Sequence, residues 1–103
     1  MIRAEFFKSK GAFIGFKICG HAGYDVSGKD VVCAAVSSAV QLTMNLLNDL
    51  GFEPDVLISD NLIKCSVSRT SSASAIILED LKQHFESILE EFPKTIKITI
   101  SEV

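Results

Sequence analysis

The chain has 103 residues, enough to bury one core but not two, so a single domain over residues 1–103 is expected. Apolar residues make up 48% and charged residues 22%, which excludes disorder as the resting state. The net charge of -3 provides no basic footprint, which argues against nucleic acid as a direct ligand.

The segment IRAEFFK sets Ile2, Ala4 and Phe6 against Arg3 and Glu5, the two-residue period of a half-buried strand. Lys8 to Gly11 reads as a turn. AFIGFKICGH then forms a second strand, with Ala12, Ile14, Phe16 and Ile18 on one face and Phe13, Lys17, Cys19 and His21 on the other. Together the two strands predict a hairpin.

From Asp30 the period changes. Val32, Val36, Ala39, Val40, Thr43, Leu46, Leu47 and Leu50 recur at three- and four-residue steps up to Gly51, a helix stop signal. The spacing predicts an amphipathic helix of about five turns. Two caps are available: Ser27 with Asp30 as a capping box in which Asp replaces Glu, or Asp30 alone. Either leaves Cys33 within the first two turns.

PDVLIS and LIKCSVSR flank the turn residues Asp60 and Asn61, a second hairpin in which Ile63, Cys65 and Val67 share a face. Ser71, Ser72 and Ser74 offer caps for a second helix. Its apolar stripe is Ile77, Leu81, Phe85, Ile88 and Phe92, and Pro93 ends it. TIKITIS closes the chain as a strand with Ile96, Ile98 and Ile100 inward.

The order ββαββαβ, with one apolar face on each element, predicts an α+β two-layer sandwich, both helices packed on one side of a mainly antiparallel sheet. The other sheet face is expected to carry Phe7, Phe13 and Leu57. That is more apolar than exposure to water favours, and a homodimer would cover it.

Cys19, Cys33 and Cys65 cannot all pair and lack the dense spacing of a secreted disulfide scaffold. MIRAEFFKSKG has no apolar core of signal-peptide length, and no uninterrupted apolar run approaches the ~18 residues that span a bilayer. The expectation is a cytoplasmic protein with no membrane partner.

Cys33 is the candidate nucleophile, because unpaired N–H groups and the positive dipole end at a helix start favour a thiolate. An imidazole would activate it as base or as imidazolium partner, and His21 is the histidine placed for this. His84, among the charged residues of DLKQHFE, belongs on the surface. Gly20, Gly23 and Gly28 give the intervening loop freedom to gate a substrate. Asp30 is either a helix cap or a group orienting His21, and Ser37 either lines the site or bonds back to its own helix. Two other readings stay open. Cys33 is a small buried packing residue, or Cys19, His21 and Cys33 are three donors to zinc, at a spacing that matches no standard ligand pattern.

The stretch GHAGYDVSGKDVVCAAVSS, with G-H-A, then Asp30, then C-A-A-V-S, resembles the bacterial ribosomal-processing cysteine proteases, the Prp family. Chain length and element order are similar too. The resemblance implies a metal-independent, homodimeric cysteine endopeptidase that needs no cofactor, with Cys33 as nucleophile and His21 as its dyad partner. It implies as substrate the N-terminal extension of a large-subunit ribosomal protein precursor, called in words L twenty-seven, removed after a pair of aromatic residues. That substrate is strongly basic, which the acidic balance of this chain would help to steer. The reading from a different class is a non-enzymatic ribosome- or protein-binding module that uses the loop over residues 20–30 as a docking surface.

Overall fold

The computed structural model describes residues 1–20 and 29–103, without the side chains of residues 29 and 30. Its elements are β1 (Ile2–Ser9), β2 (Ala12–Cys19), α1 (Lys29–Asp49), β3 (Pro54–Ser59), β4 (Leu62–Val67), α2 (Ser72–Glu91) and β5 (Ile96–Glu102). The sheet order is β3-β4-β2-β1-β5. β1 and β5 run parallel, and the other neighbours are antiparallel. The expected ββαββαβ order and α+β class hold, in a sheet that is mixed by virtue of one parallel pair.

Local chemistry explains the boundaries. Lys10 and Gly11 both have positive φ, 53° and 81°, as a tight two-residue hairpin turn between right-twisted strands requires. α1 ends at Gly51, φ 82°, where the N–H of Gly51 donates to the carbonyl of Asn48 and that of Phe52 to Leu47. This double closure satisfies the last carbonyls of the helix, and a side chain there would resist the left-handed backbone. α2 begins with a reciprocal cap. The Ser71 hydroxyl accepts from the N–H groups of Ala73 and Ser74, while the Ser71 N–H donates to Ser74 Oγ at 2.9 Å.

The core lies between the helices and one sheet face. Ile2, Ala4 and Phe6 of β1 point into it, as do Phe16 and Ile18 of β2, Cys65 and Val67 of β4, and Ile96 of β5. The helices add Val32, Val36, Val40 and Leu47 from α1 and Leu78, Leu81 and Phe85 from α2. Phe6 is the hub, with ring centroids 5.9 Å from Phe13, 6.3 Å from Phe16 and 6.0 Å from Phe85. Fully burying a side chain of this size contributes about 1.5–3 kcal/mol, so the four rings dominate the apolar gain at this end of the sheet.

Several expectations are corrected. Phe13 is in the core, not on the outer sheet face. The β1–β2 register shifts so that Phe7 faces Gly15 and Lys8 faces Phe13, which leaves Ile14 as an extra residue and turns Phe13 inward. The outer face therefore keeps Phe7 and Leu57 but loses its third apolar anchor. Leu46 and Leu50 of α1 are exposed, because the sheet covers a narrower stripe than the sequence offers, and Leu78 carries the buried role in α2 that the predicted stripe missed. Ile100 is half exposed, since it lies toward the far end of the edge strand β5, beyond Ile96 and Ile98 that pack on the core. By length and composition Val31–Asp49 would also suffice to cross a membrane, a test that apolar core helices pass as well.

Candidate active site

Cys33 is the fifth residue of α1. Val32 and Val36 are buried and fix the helix against the sheet, while Val31 is exposed on the far side. Cys33 is half buried at the margin of this stripe and packs against the core. A helical side chain leans toward the helix N-terminus, so the thiol is carried back over the first turn.

It opens into a cleft of about 290 Å³. The ends of β1 and β2 supply the floor through Ile2 and Ile18, and α1 supplies one wall through Cys33, Val36 and Ser37. The opposite wall is the β3–β4 hairpin, with Ile58, Asn61 and Ile63 among its contributions. Small-molecule sites occupy about 300–1,000 Å³, so this volume suits one or two side chains of a longer partner. Among the described lining residues, Cys33 is the sole titratable group.

The residue at the end of β2 is fixed from two directions. The Gly20 N–H donates to the Asn61 carbonyl at 3.0 Å, which ties strand end to hairpin tip. Its φ is 76°, and a Cβ there would stand 2.8 Å from the Met1 carbonyl oxygen. Gly20 is therefore an anchor at the start of the following segment, a more specific role than the gating freedom expected of it.

The predicted site residues divide as follows. Cys33, Ser37 and Gly20 all line the same cleft. Ser37 is exposed there. α1 begins at Lys29, so Asp30 falls in the first turn, but its side chain lies outside the described residues. His21, Gly23, Ser27 and Gly28 also lie outside them. His84 is exposed, as expected, beside a groove of about 430 Å³ between the helices whose lining includes Leu42, Leu46 and Ile77. Sequence reasoning missed the hairpin wall of the cleft. The signal available was the uncharged run Val56, Leu57 and Ile58 ahead of the turn, too apolar for a strand left in water.

The other two cysteines sit in different chemistry. Cys65 is fully buried, and burial, with a smaller contribution from the Asp55 carboxylate, pushes its thiol up from 9.0 to about 11. Cys19 lies with Arg3, Glu5, Lys17 and Lys97 in a polar depression on the outer sheet face. Cys19 and Cys33 are thus on opposite sides of the sheet, which removes the three-donor zinc arrangement as the sequence framed it.

The family model described as cysteine protease Prp matches residues 1–97. Among solved structures, the essential ribosomal processing protease Prp from S. aureus with a covalently linked product peptide is 24% identical, with a TM-score of 0.85 over 98% of this chain and 100% of that one. The same protease with a substrate peptide is 23% identical, with a TM-score of 0.86 over 98% and 100% of the two chains. SMU.848 from Streptococcus mutans is 25% identical, with a TM-score of 0.80 over 100% of this chain and 96% of that one. No curated protein matches the chain.

Proposed function

The chain belongs to the cysteine protease Prp family, and on that premise we propose that it is a processing endopeptidase whose nucleophile is Cys33 and whose proton partner is His21. The observation that carries this reading is the position of Cys33, at the start of a long helix and facing a cleft sized for peptide side chains. The described lining offers no base, and His21 follows directly on the anchored Gly20 at the cleft's edge.

The chemistry follows from these groups. The Cys33 sulfur attacks the scissile carbonyl, forming a C–S bond, and the negative charge on the carbonyl oxygen falls near the helix-start N–H groups. His21, holding the thiol proton, returns it to the departing amine as the C–N bond breaks. Water, deprotonated by the same imidazole, then hydrolyses the thioester and restores the thiol. Ser37, on the same cleft wall, would contact the bound chain; Asp30 would support His21 or cap α1.

The substrate we propose is the precursor of the large-subunit ribosomal protein L twenty-seven, cut after its aromatic pair. The S. aureus structures carry peptides described as substrate and covalently linked product of a ribosomal processing protease, which supports a peptide in this cleft. The proposal includes a cytoplasmic homodimer. With Phe13 in the core, the physical motive for association moves from the sheet to the helix layer, where Leu42 and Leu46 are 68% and 41% exposed.

Incubation with a peptide spanning the aromatic pair is expected to give two fragments by mass spectrometry. Cys33→Ala and His21→Ala should each lower kcat/KM by about 10³-fold or more, as removal of one member of a catalytic unit does. Unchanged cleavage by Cys33→Ala would overturn the assignment of the nucleophile. Retained peptide binding with no cleavage by the unaltered protein would favour the docking module.

A further inference from the structure

The sheet ends in two edges of unlike character, and the one beside Cys33 is the less protected. β3 is the terminal strand on that side. Its pairing with β4 fixes which backbone groups are used. Ser59 faces Leu62 across a connection of only Asp60 and Asn61, so these two form the closing hydrogen-bonded pair. By alternation Leu57 with Lys64 and Asp55 with Ser66 are the next such pairs. The same parity recurs across β4, where the Asn61 carbonyl turns the other way to accept from Gly20.

The N–H and C=O groups of Val56 and Ile58 therefore point outward from the sheet. Pro54, of the same parity, has no N–H, so the stretch with both groups available begins at Val56. Val56, Leu57 and Ile58 are 39%, 58% and 66% exposed and carry no charge. Soluble proteins guard such edges with lysine, proline, bulges or a covering element. The opposite edge, β5, is interrupted by Lys97 and Glu102. Ile58 and Ser59 continue from this open edge into the cleft that holds Cys33.

We infer that the peptide substrate binds as an added strand on β3, its main chain paired with Val56 and Ile58, and that this pairing delivers the scissile bond to Cys33. The inference rests on the peptidase reading above and adds to it a mode of recognition. Main-chain pairing supplies affinity for any extended segment, and alternate side chains of that segment fall into the cleft and select sequence. A folded loop or helix lacks the free backbone groups to pair in this way, so the substrate class is an extended, unfolded segment.

The test uses the full chain carrying Cys33→Ala and a fluorescent peptide containing the aromatic pair, with binding read by anisotropy. N-methylation of single peptide residues should weaken binding about tenfold at alternate positions and leave the positions between them unaffected, the period of a strand. Ile58→Pro in the same background removes an outward N–H that the β3–β4 ladder does not use. It should also weaken binding about tenfold, with the unfolding midpoint unchanged. A flat methylation profile, full binding by Ile58→Pro, or no peptide binding overturns the inference. So does a second copy of the chain on the edge, seen as peptide release with rising protein concentration. Cleavage by the unaltered protein reads the chemistry separately. Cleavage with a flat profile overturns strand addition alone, and an alternating profile without cleavage overturns the peptidase alone.

Discussion

Cys33 and Cys65 carry the same side chain in opposite surroundings. Cys65 lies under the sheet's apolar face with no exposed surface, and there the thiol is held neutral. Cys33 lies where that packing gives out, one turn into α1, with the cleft in front of it. The difference shows how a small core leaves a thiol accessible: not by adding special groups to the interior, but by ending the packing beside a helix start. The aromatic cluster of Phe6, Phe13, Phe16 and Phe85 concentrates cohesion at one end of the sheet, which leaves the other end free to be open.

The contrast breaks most visibly in alkylation. Iodoacetamide should label Cys33 first and Cys65 last in the folded protein, with a rate ratio of about 10³ or more, because Cys65 reacts only through opening of the core. Equal rates under native conditions, measured by peptide mass spectrometry, would erase the distinction; in urea the rates should converge.

A smaller effect sharpens the same contrast through pH. The Cys65 thiol is raised in the folded protein from 9.0 to about 11. Its contribution to stability is complete below pH 9 and is lost as pH rises toward 11, because the unfolded chain then releases a proton that the folded chain retains. The loss is roughly 2–3 kcal/mol at 1.36 kcal/mol per unit. Urea unfolding at pH 8 and pH 10.5 should show it, and Cys65→Ala should remove this component while lowering stability at both.

Smallest is the effect of Gly20→Ala. The positive φ and the Met1 carbonyl together predict a loss of about 1–2 kcal/mol in stability. Peptide cleavage should fall with it, because the residue anchors the segment that begins with His21. Wild-type stability and kcat/KM in the variant would show that the strand end can shift without consequence.

Much of this arrangement is legible in the residues. The alternation of Ile2, Ala4 and Phe6 and the three- and four-residue steps of Val32, Val36 and Val40 specify strand and helix faces directly, and Cys33 is readable as a helix-start residue from the same pattern. Phe13 is not, because one extra residue in β2 inverts every face before it. A clue was present in Gly15, a glycine inside a strand, where a Cβ would run into the Cys65 carbonyl oxygen. The far wall of the cleft was illegible for another reason. Ile58 and Asn61 meet Cys33 only through the order of strands in the sheet, and periodicity within a segment carries no information about order. The pairing of His21 with Cys33 rests on the sequence stretch GHA and CAAVS alone, since the position of His21 lies outside the described residues.

The parallel pairing of β1 with β5 joins the first strand of the chain to its last, and the Ile2 N–H donates to the Thr95 carbonyl at 3.1 Å. Contacts this distant in sequence are assembled late, since loop closure must precede any reward from pairing. Ile2 also forms part of the cleft floor. During synthesis the floor beneath Cys33 gains this pairing only after β5 has emerged, so the first strand waits on the most distant one for its second neighbour.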